Sequence, residues 1–116
     1  MADKFAIVTG SSTGIGLELA KLAAQDGYDL LLVADTPFTE VPAGAQTLEA
    51  DLSTFDGVDQ LLGAAGGRQI DLLCANAGHG LGRAFLDQDA ADWRHVIDTN
   101  VVGTTYLLQK VLKQMV

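Results

Sequence analysis

The sequence has little of what membrane segments or disulfide-bonded secreted domains require. It contains one cysteine, Cys74, so an internal disulfide framework is excluded. Its longest unbroken aliphatic run, Leu30 to Ala34, is far shorter than a membrane span. Met1 to Lys4 show no charged-then-apolar signal pattern. These absences predict a cytoplasmic domain that neither crosses nor binds a membrane.

Positive charge is also scarce. The 116 residues include 7 Lys and Arg against 15 Asp and Glu, which gives a formal net charge of −8. Nucleic-acid phosphates repel such a surface, and only Lys110 and Lys113 among the basic residues lie close together. We therefore expect no nucleic-acid partner. The length fits one domain, residues 1–116.

Potential metal ligands and reactive thiols are few as well. The two histidines are His79, in a loop with Gly80 and Gly82, and His95, on a predicted helix. Without paired ligand spacing they predict no metal site. Cys74 lies in an apolar run without basic neighbours, so we interpret it as a small buried strand residue.

Glycine, in contrast, is plentiful, and it is concentrated in the stretch Thr9 to Gly16, which reads TGSSTGIG. This stretch follows the apolar run Phe5 to Val8 and opens a segment with helical spacing. A strand that turns through glycines into a helix offers unpaired N–H groups, and the missing side chains let a pyrophosphate come close. The spacing is G-x-x-x-G-x-G rather than G-x-G-x-x-G. A turn without a ligand is the alternative, but the order strand, turn, helix favours a nucleotide site.

Hydrophobic periodicity predicts alternating strands and helices. The predicted strands are Phe5 to Thr9, Leu30 to Ala34, Gln46 to Ala50 and Ile70 to Ala75, and the predicted helices are Gly14 to Asp26, Thr54 to Ala65 and Asp89 to Val116. The last helix carries an apolar stripe at Trp93, Val96, Ile97, Val101, Thr104, Leu108, Val111, Leu112 and Met115. Pro37, Pro42 and Gly44 predict a bare loop before the third strand. The fold class is α/β, a doubly wound parallel sheet of the Rossmann type.

An acidic residue closes the second strand. Asp35 follows Gly16 by nineteen residues and can accept hydrogen bonds from an adenosine ribose while repelling a 2′-phosphate. Alternatively it is a turn aspartate before Thr36, and Ala34 holds the discriminating position. No Arg or Lys is near Asp35 or Ser12 in the sequence, so NAD is favoured over NADP.

Several of these motifs resemble those of the short-chain dehydrogenase/reductase family. The stretch Thr9 to Gly16 is similar to its Thr-Gly-x-x-x-Gly-Ile-Gly signature. That likeness implies a cofactor site at Gly10, Ser12, Thr13, Gly14, Ile15 and Gly16. Asp51-Leu52 resembles the family's adenine-holding pair, although Asp51 or Ser53 can also cap the next helix. Both roles are compatible.

Two further motifs carry the same resemblance. Asn76-Ala77-Gly78 is similar to the family's Asn-Ala-Gly, in which the asparagine ties neighbouring strands and the small residues leave room for cofactor. A turn without a ligand is the alternative. Asn100 matches a helix asparagine that helps hold a water in the proton relay, so it is the candidate catalytic residue. Gly103, which follows it, fits the family as well.

The resemblance also exposes an absence. In the family a serine orients the substrate oxygen, and a tyrosine moves the proton with help from a lysine four residues later. The only serines are Ser11, Ser12 and Ser53, and the only tyrosines are Tyr28 and Tyr106. Tyr106 and Lys110 do spell Y-x-x-x-K, but they lie on the helix of Asn100, so we interpret them as an i,i+4 surface pair.

The resemblance therefore predicts the NAD(P)-binding portion of such an oxidoreductase, truncated to about four strands in the order 3-2-1-4. Its parent reaction would transfer hydride between a nicotinamide cofactor and an alcohol or ketone, with NAD expected and no activity from these residues alone. The alternative is a non-catalytic nucleotide-binding or interaction protein. The helix over residues 89–116 commonly forms the subunit interface in the family, and the fourth strand would have a bare edge, so we expect a homo-oligomer.

Overall fold

The computed structural model describes residues 4–78 and 83–116. Its strands are β1 (Phe5–Thr9), β2 (Asp29–Ala34), β3 (Gln46–Glu49) and β4 (Leu72–Cys74), and its helices are α1 (Gly14–Gln25), α2 (Phe55–Ala65), α3 (Ala90–Ile97) and α4 (Thr104–Met115). A 3₁₀ turn covers Phe85–Asp87, and a π-helical segment at Asp98–Gly103 joins α3 to α4. None of the helices in these residues is long and apolar enough to cross a membrane.

The four strands form one parallel sheet in the order β3-β2-β1-β4, which confirms the predicted architecture. Side chains alternate along β1 between the two faces of the sheet. Phe5 and Ile7 pack with α2 and α4, where Val58, Leu61, Leu107 and Val111 are buried. Ala6 and Val8 pack with α1, where Ala20 and Ala23 are buried. Helices therefore cover both faces, as expected for a doubly wound sheet.

The predicted loop between β2 and β3 is confirmed, because residues 35–45 contain no helix. Its contacts hold it against α1. The Lys21 Nζ atom lies 2.6 Å from Glu40 Oε2, and the hydroxyls of Ser12 and Thr36 are 2.7 Å apart. A short loop thus takes the place of the crossover helix.

β4 is shorter than predicted and begins at Leu72 rather than Ile70. The carboxylate of Asp71 explains its start: Asp71 Oδ2 accepts a hydrogen bond from the Phe5 backbone N–H at 2.8 Å. A side chain, rather than the backbone of β4, therefore accepts the hydrogen bond from the first N–H group of β1.

The predicted apolar stripe on the last helix is largely wrong. The buried residues of this helical region are Thr99, Gly103, Leu107 and Val111, whereas Ile97, Val101, Leu108, Leu112 and Met115 are exposed. The π-helical segment contributes to the difference, because its wider turn shifts the residues after it relative to a 3.6-residue period, whereas Ile97 lies before it and is exposed as well.

Candidate functional site

The glycine turn after β1 is bonded to the neighbouring strand β2. The backbone N–H groups of Gly10 and Ser11 donate to the Val33 carbonyl at 2.8 and 3.4 Å, and the buried Ser11 hydroxyl donates to the Val8 carbonyl at 2.9 Å. Gly10 has φ +64°, a left-handed conformation that glycine adopts without strain. Ser11 therefore fixes the turn and is not a free nucleophile.

Thr9 and Asn76 tie this turn to the end of β4. The buried Thr9 hydroxyl oxygen accepts from the backbone N–H groups of Asn76 and Ala77 at 3.0 and 2.9 Å. The Asn76 side-chain Nδ2 donates to the Gly10 carbonyl at 3.2 Å. The asparagine thus joins the carboxyl ends of β1 and β4, the contact that the family resemblance implied.

The N-terminus of α1 follows the turn and differs from that of α2. At α2 the Thr54 hydroxyl accepts from the Gly57 N–H at 3.0 Å, so Thr54 is the cap, not Asp51 or Ser53. At α1 the N-cap residue Thr13 makes no side-chain capping bond among the described residues, and the first turn holds no acidic side chain. Such an end retains unpaired N–H groups and the positive end of the helix dipole.

The glycines of this turn serve two different purposes. A Cβ at Gly14, which has φ +61°, would meet no described atom within 4 Å, and Ile15 beside it is 73% exposed. This side of the helix end is open to an anion. A Cβ at Gly16 would overlap the Gly10 carbonyl, so Gly16 allows close packing of helix and turn.

A cavity of about 150 Å³ lies at the carboxyl ends of all four strands. It is lined by Gly10, Ala34, Asp35, Ala50, Asp51, Leu52, Ala77, Gly78, His95 and Thr99. Six predicted cofactor residues meet there: Gly10, Asp35, Asp51, Leu52, Ala77 and Gly78. The other predicted residues, which are Ser12, Thr13, Gly14, Ile15, Gly16, Asn76 and Asn100, do not line it. Ala34 and Asp35 both do, so either can hold the discriminating position.

Asp51 is held in a local turn at the cavity wall. Its Oδ1 accepts hydrogen bonds from the Ser53 hydroxyl at 2.5 Å and from the Ser53 backbone N–H at 3.0 Å. These bonds, led by the hydroxyl, lower the pKa of Asp51 against the opposing effect of partial burial, and the nearby His95 contributes in the same direction. Asp51 is therefore a fixed hydrogen-bond acceptor at neutral pH.

Ser12 is nearly buried, and its hydroxyl lies 2.7 Å from the hydroxyl of Thr36. This contact places the side chain against the loop after β2 rather than in the cavity.

Asn100 lies in the π-helical segment, and it is exposed. A Cβ at Gly78 would lie 2.9 Å from Asn100 Oδ1, so the absence of a side chain at Gly78 allows this approach. Asn100 is thereby placed beside the Asn-Ala-Gly turn. π-Helical turns recur at functional sites.

Sequence reasoning missed His95 and Thr99, which line the cavity from α3 and the π-helical segment. Their spacing of four residues places them on one helix face, which is the signal that was available. His79 lies outside the described residues. No cluster of three potential metal ligands occurs in the part of the chain that the structure describes.

A parallel sheet with helices on both faces and a glycine turn after its first strand defines a Rossmann-type fold. The family model for short chain dehydrogenases matches residues 4–116. The chain belongs to that family, whose members generally use NAD(P).

Similar proteins agree with this assignment. The chain is 31% identical over 118 residues to an uncharacterized oxidoreductase of Staphylococcus epidermidis, covering 95% of this chain and 51% of the relative. A solved short chain dehydrogenase/reductase family protein matches at 34% identity and TM-score 0.84, covering 97% of this chain and 50% of that one. The Brucella melitensis 3-ketoacyl-(acyl-carrier-protein) reductase, solved with NADH, shares the fold at 24% identity and TM-score 0.86, with coverages of 97% and 50%. The chain spans about half the length of these relatives.

Proposed function

We propose that this chain is the NAD-binding portion of a short-chain dehydrogenase/reductase. The parent reaction is hydride transfer between a nicotinamide cofactor and a small alcohol or carbonyl substrate. The position of the cavity is the observation that carries the proposal. Gly10 follows β1 and Gly78 follows β4, and both line it. The strand order reverses between these two strands, and open α/β sheets bind ligands at that reversal.

The cavity residues fit the adenosine half of a dinucleotide. Leu52 and Ala50 supply an apolar wall for a base, and Asp51 supplies an acceptor for its exocyclic amine. Asp35 supplies an acceptor for ribose hydroxyls. The uncapped end of α1 offers N–H groups to the pyrophosphate. When bound, the cofactor supplies the hydride donor or acceptor, while these side chains bind and orient it.

NAD rather than NADP is favoured by charge. Among the described residues that line the cavity there is no lysine or arginine, and two of them, Asp35 and Asp51, are carboxylates. Lys21, on α1, is paired with Glu40 at 2.6 Å. A 2′-phosphate would therefore meet repulsion without a compensating cation.

The alternative is that residues 1–116 act as a non-catalytic nucleotide-binding or interaction protein. The three serines favour this non-catalytic alternative, because each hydroxyl already has a partner: Ser11 with Val8, Ser12 with Thr36 and Ser53 with Asp51. Turnover assays with panels of alcohols and ketones distinguish the two readings. Activity from these residues alone would support the enzyme, and its absence together with NADH binding would support the alternative for this length of chain.

The test of the binding proposal is a fluorescence titration of NADH with the chain, set beside NADPH and reduced nicotinamide mononucleotide. We expect weak saturable binding of NADH, weaker binding of NADPH, and the weakest binding of the mononucleotide, which lacks the adenylate half. Equal affinity for the mononucleotide and NADH would contradict an adenosine subsite in the cavity.

A further inference from the structure

His95 stands apart among the cavity residues because neither the glycine turn nor the motifs after the strands include it. It lies on α3, and it lines the cavity together with Asp51 and Leu52. Of the described side chains that line the cavity, only His95 can carry a positive charge. A half-buried imidazole that shares a cavity with a fixed carboxylate is a candidate ligand-binding group.

Two close contacts fix the helical region that carries His95. A Cβ at Gly103 would overlap the Leu52 carbonyl, so the helix backbone touches the end of β3 directly. Near its middle, Asn100 approaches Gly78 at the end of β4. These two contacts hold the region in one orientation over the cavity. The imidazole is therefore presented by a rigid element rather than by a loop.

His95 and Asp51 also interact electrostatically. The pKa of Asp51 is lowered chiefly by its hydrogen bond from Ser53, and the charge of His95 adds to that effect. The two side chains are thus close enough to act on one ligand. Asp51 Oδ1 is engaged by Ser53, and Oδ2 takes neither of those bonds.

We propose that His95 is a specificity-determining residue that recognises the adenine base together with Asp51. This inference rests on the nucleotide binding proposed above. An ionised carboxylate only accepts hydrogen bonds, whereas an imidazole always carries at least one N–H donor. Adenine presents an amino donor beside ring nitrogen acceptors, so an acceptor and a donor side by side match its edge. Hypoxanthine carries an oxygen acceptor in place of the amino group and a hydrogen on N1, so its oxygen opposes the carboxylate and its N1–H opposes the imidazole donor.

The experiment measures dissociation constants of NADH and its hypoxanthine analogue by fluorescence titration for wild type, His95→Ala, His95→Gln and Arg94→Ala. The wild type should prefer NADH by about tenfold, the usual worth of one well-placed hydrogen bond. His95→Ala should reduce that ratio to about twofold by weakening NADH binding, since one donor is lost. His95→Gln should retain more of the wild-type preference for NADH, because the glutamine amide can still donate a hydrogen bond.

Arg94 is the matched control, since it lies next to His95 on α3 and pairs with Asp98 at 3.0 Å instead of lining the cavity. Arg94→Ala should leave both constants unchanged. Circular dichroism checks that each variant is folded. If His95→Ala does not fold, His95→Gln serves as the test. An unchanged ratio in a folded His95 variant would overturn the inference while leaving nucleotide binding intact. Failure of the wild type to bind NADH would overturn the proposed function, and this inference with it.

Discussion

The Tyr106 hydroxyl donates a hydrogen bond to Asp59 Oδ1 at 2.9 Å and so joins α4 to α2. The Tyr106 ring stacks on Phe55 with 4.4 Å between centroids, and Lys110 Nζ lies 5.3 Å from the ring centre. The bond to Asp59 raises the pKa of Tyr106, whereas a tyrosine that transfers protons at neutral pH needs a lowered one. Tyr106 thus packs between α4 and α2 beside Lys110, which fits the predicted i,i+4 surface pair.

Tyr106→Phe should therefore leave any residual dehydrogenase rate unchanged. Because the folded-state pKa is raised, the hydrogen bond contributes stability below the ordinary tyrosine pKa near ~10, and this contribution is lost as pH rises through the folded value. Urea unfolding of wild type and Tyr106→Phe at neutral and alkaline pH measures it, and the difference between them should shrink at high pH. A large drop in turnover on this substitution would show that the pair of Tyr106 and Lys110 is catalytic.

Asp51→Asn should shift base preference towards hypoxanthine. The asparagine oxygen can still accept both bonds from Ser53, so the turn is kept, but its amide now donates where the carboxylate accepted. We expect NADH affinity to fall about tenfold and the affinity for the hypoxanthine analogue to rise. Asp26→Asn, at the exposed C-terminal end of α1, is the control for the change in charge. Equal effects of the two substitutions would remove Asp51 from base recognition.

Two helical glycines should respond in opposite ways to alanine. A Cβ at Gly103 would overlap the Leu52 carbonyl, so Gly103→Ala should lower the free energy of unfolding by about 1–3 kcal/mol. Gly63 is exposed in α2 and a Cβ there meets nothing within 4 Å, so Gly63→Ala should raise the free energy by about 0.5–1 kcal/mol. Urea denaturation measures both. A neutral Gly103→Ala would mean that the helix does not touch the end of β3.

The exposed apolar residues of the last helices predict self-association. Leu108 and Leu112 lie one turn apart on α4, and they are 36% and 49% exposed. We expect sedimentation at micromolar concentration to show a dimer or larger species, because burying such a face is favourable. The double substitution Leu108→Lys and Leu112→Lys should yield a monomer, while Gln109→Lys on the same helix should not. A stable wild-type monomer would contradict this expectation.

The sequence predicted the boundaries of strands and helices correctly where particular residues, such as glycine and proline, fix the local backbone. β1 begins and ends where expected because an apolar run meets the glycine turn at Gly10, and α2 ends at Ala65 because Gly66 takes a left-handed conformation. The missing helix between β2 and β3 followed from Pro37 and Pro42. In each case one local rule decides the structure, so no tertiary information is needed.

The features that could not be predicted from the sequence are those that depend on tertiary contacts. The apolar stripe was assigned with a constant helical period, and the π-helical segment at Asp98–Gly103 changes that period. The packing of Gly16 against the Gly10 carbonyl and the Asn76 amide could not be predicted from the sequence. His95 was overlooked because the residues around it in the sequence do not show that it lines the same cavity as Asp51 and Leu52. Each of these properties depends on residues distant in the chain.

The central claim is that an anionic dinucleotide sits at the N-terminus of α1, and a pair of substitutions at Ile15 tests it most directly. Ile15 is 73% exposed in the first turn of that helix. An aspartate there is compatible with the helix dipole, so the fold is kept, but its charge repels a pyrophosphate. An asparagine has nearly the same shape without the charge.

The measurement is the NADH dissociation constant of wild type, Ile15→Asp and Ile15→Asn by fluorescence titration at low salt. We predict that Ile15→Asp weakens binding at least about tenfold, since two like charges near a helix end interact by more than 1 kcal/mol at low ionic strength. Ile15→Asn should stay within about twofold of wild type, because it adds no charge. Equal binding by the aspartate and asparagine variants would place the cofactor away from the glycine turn and contradict the account.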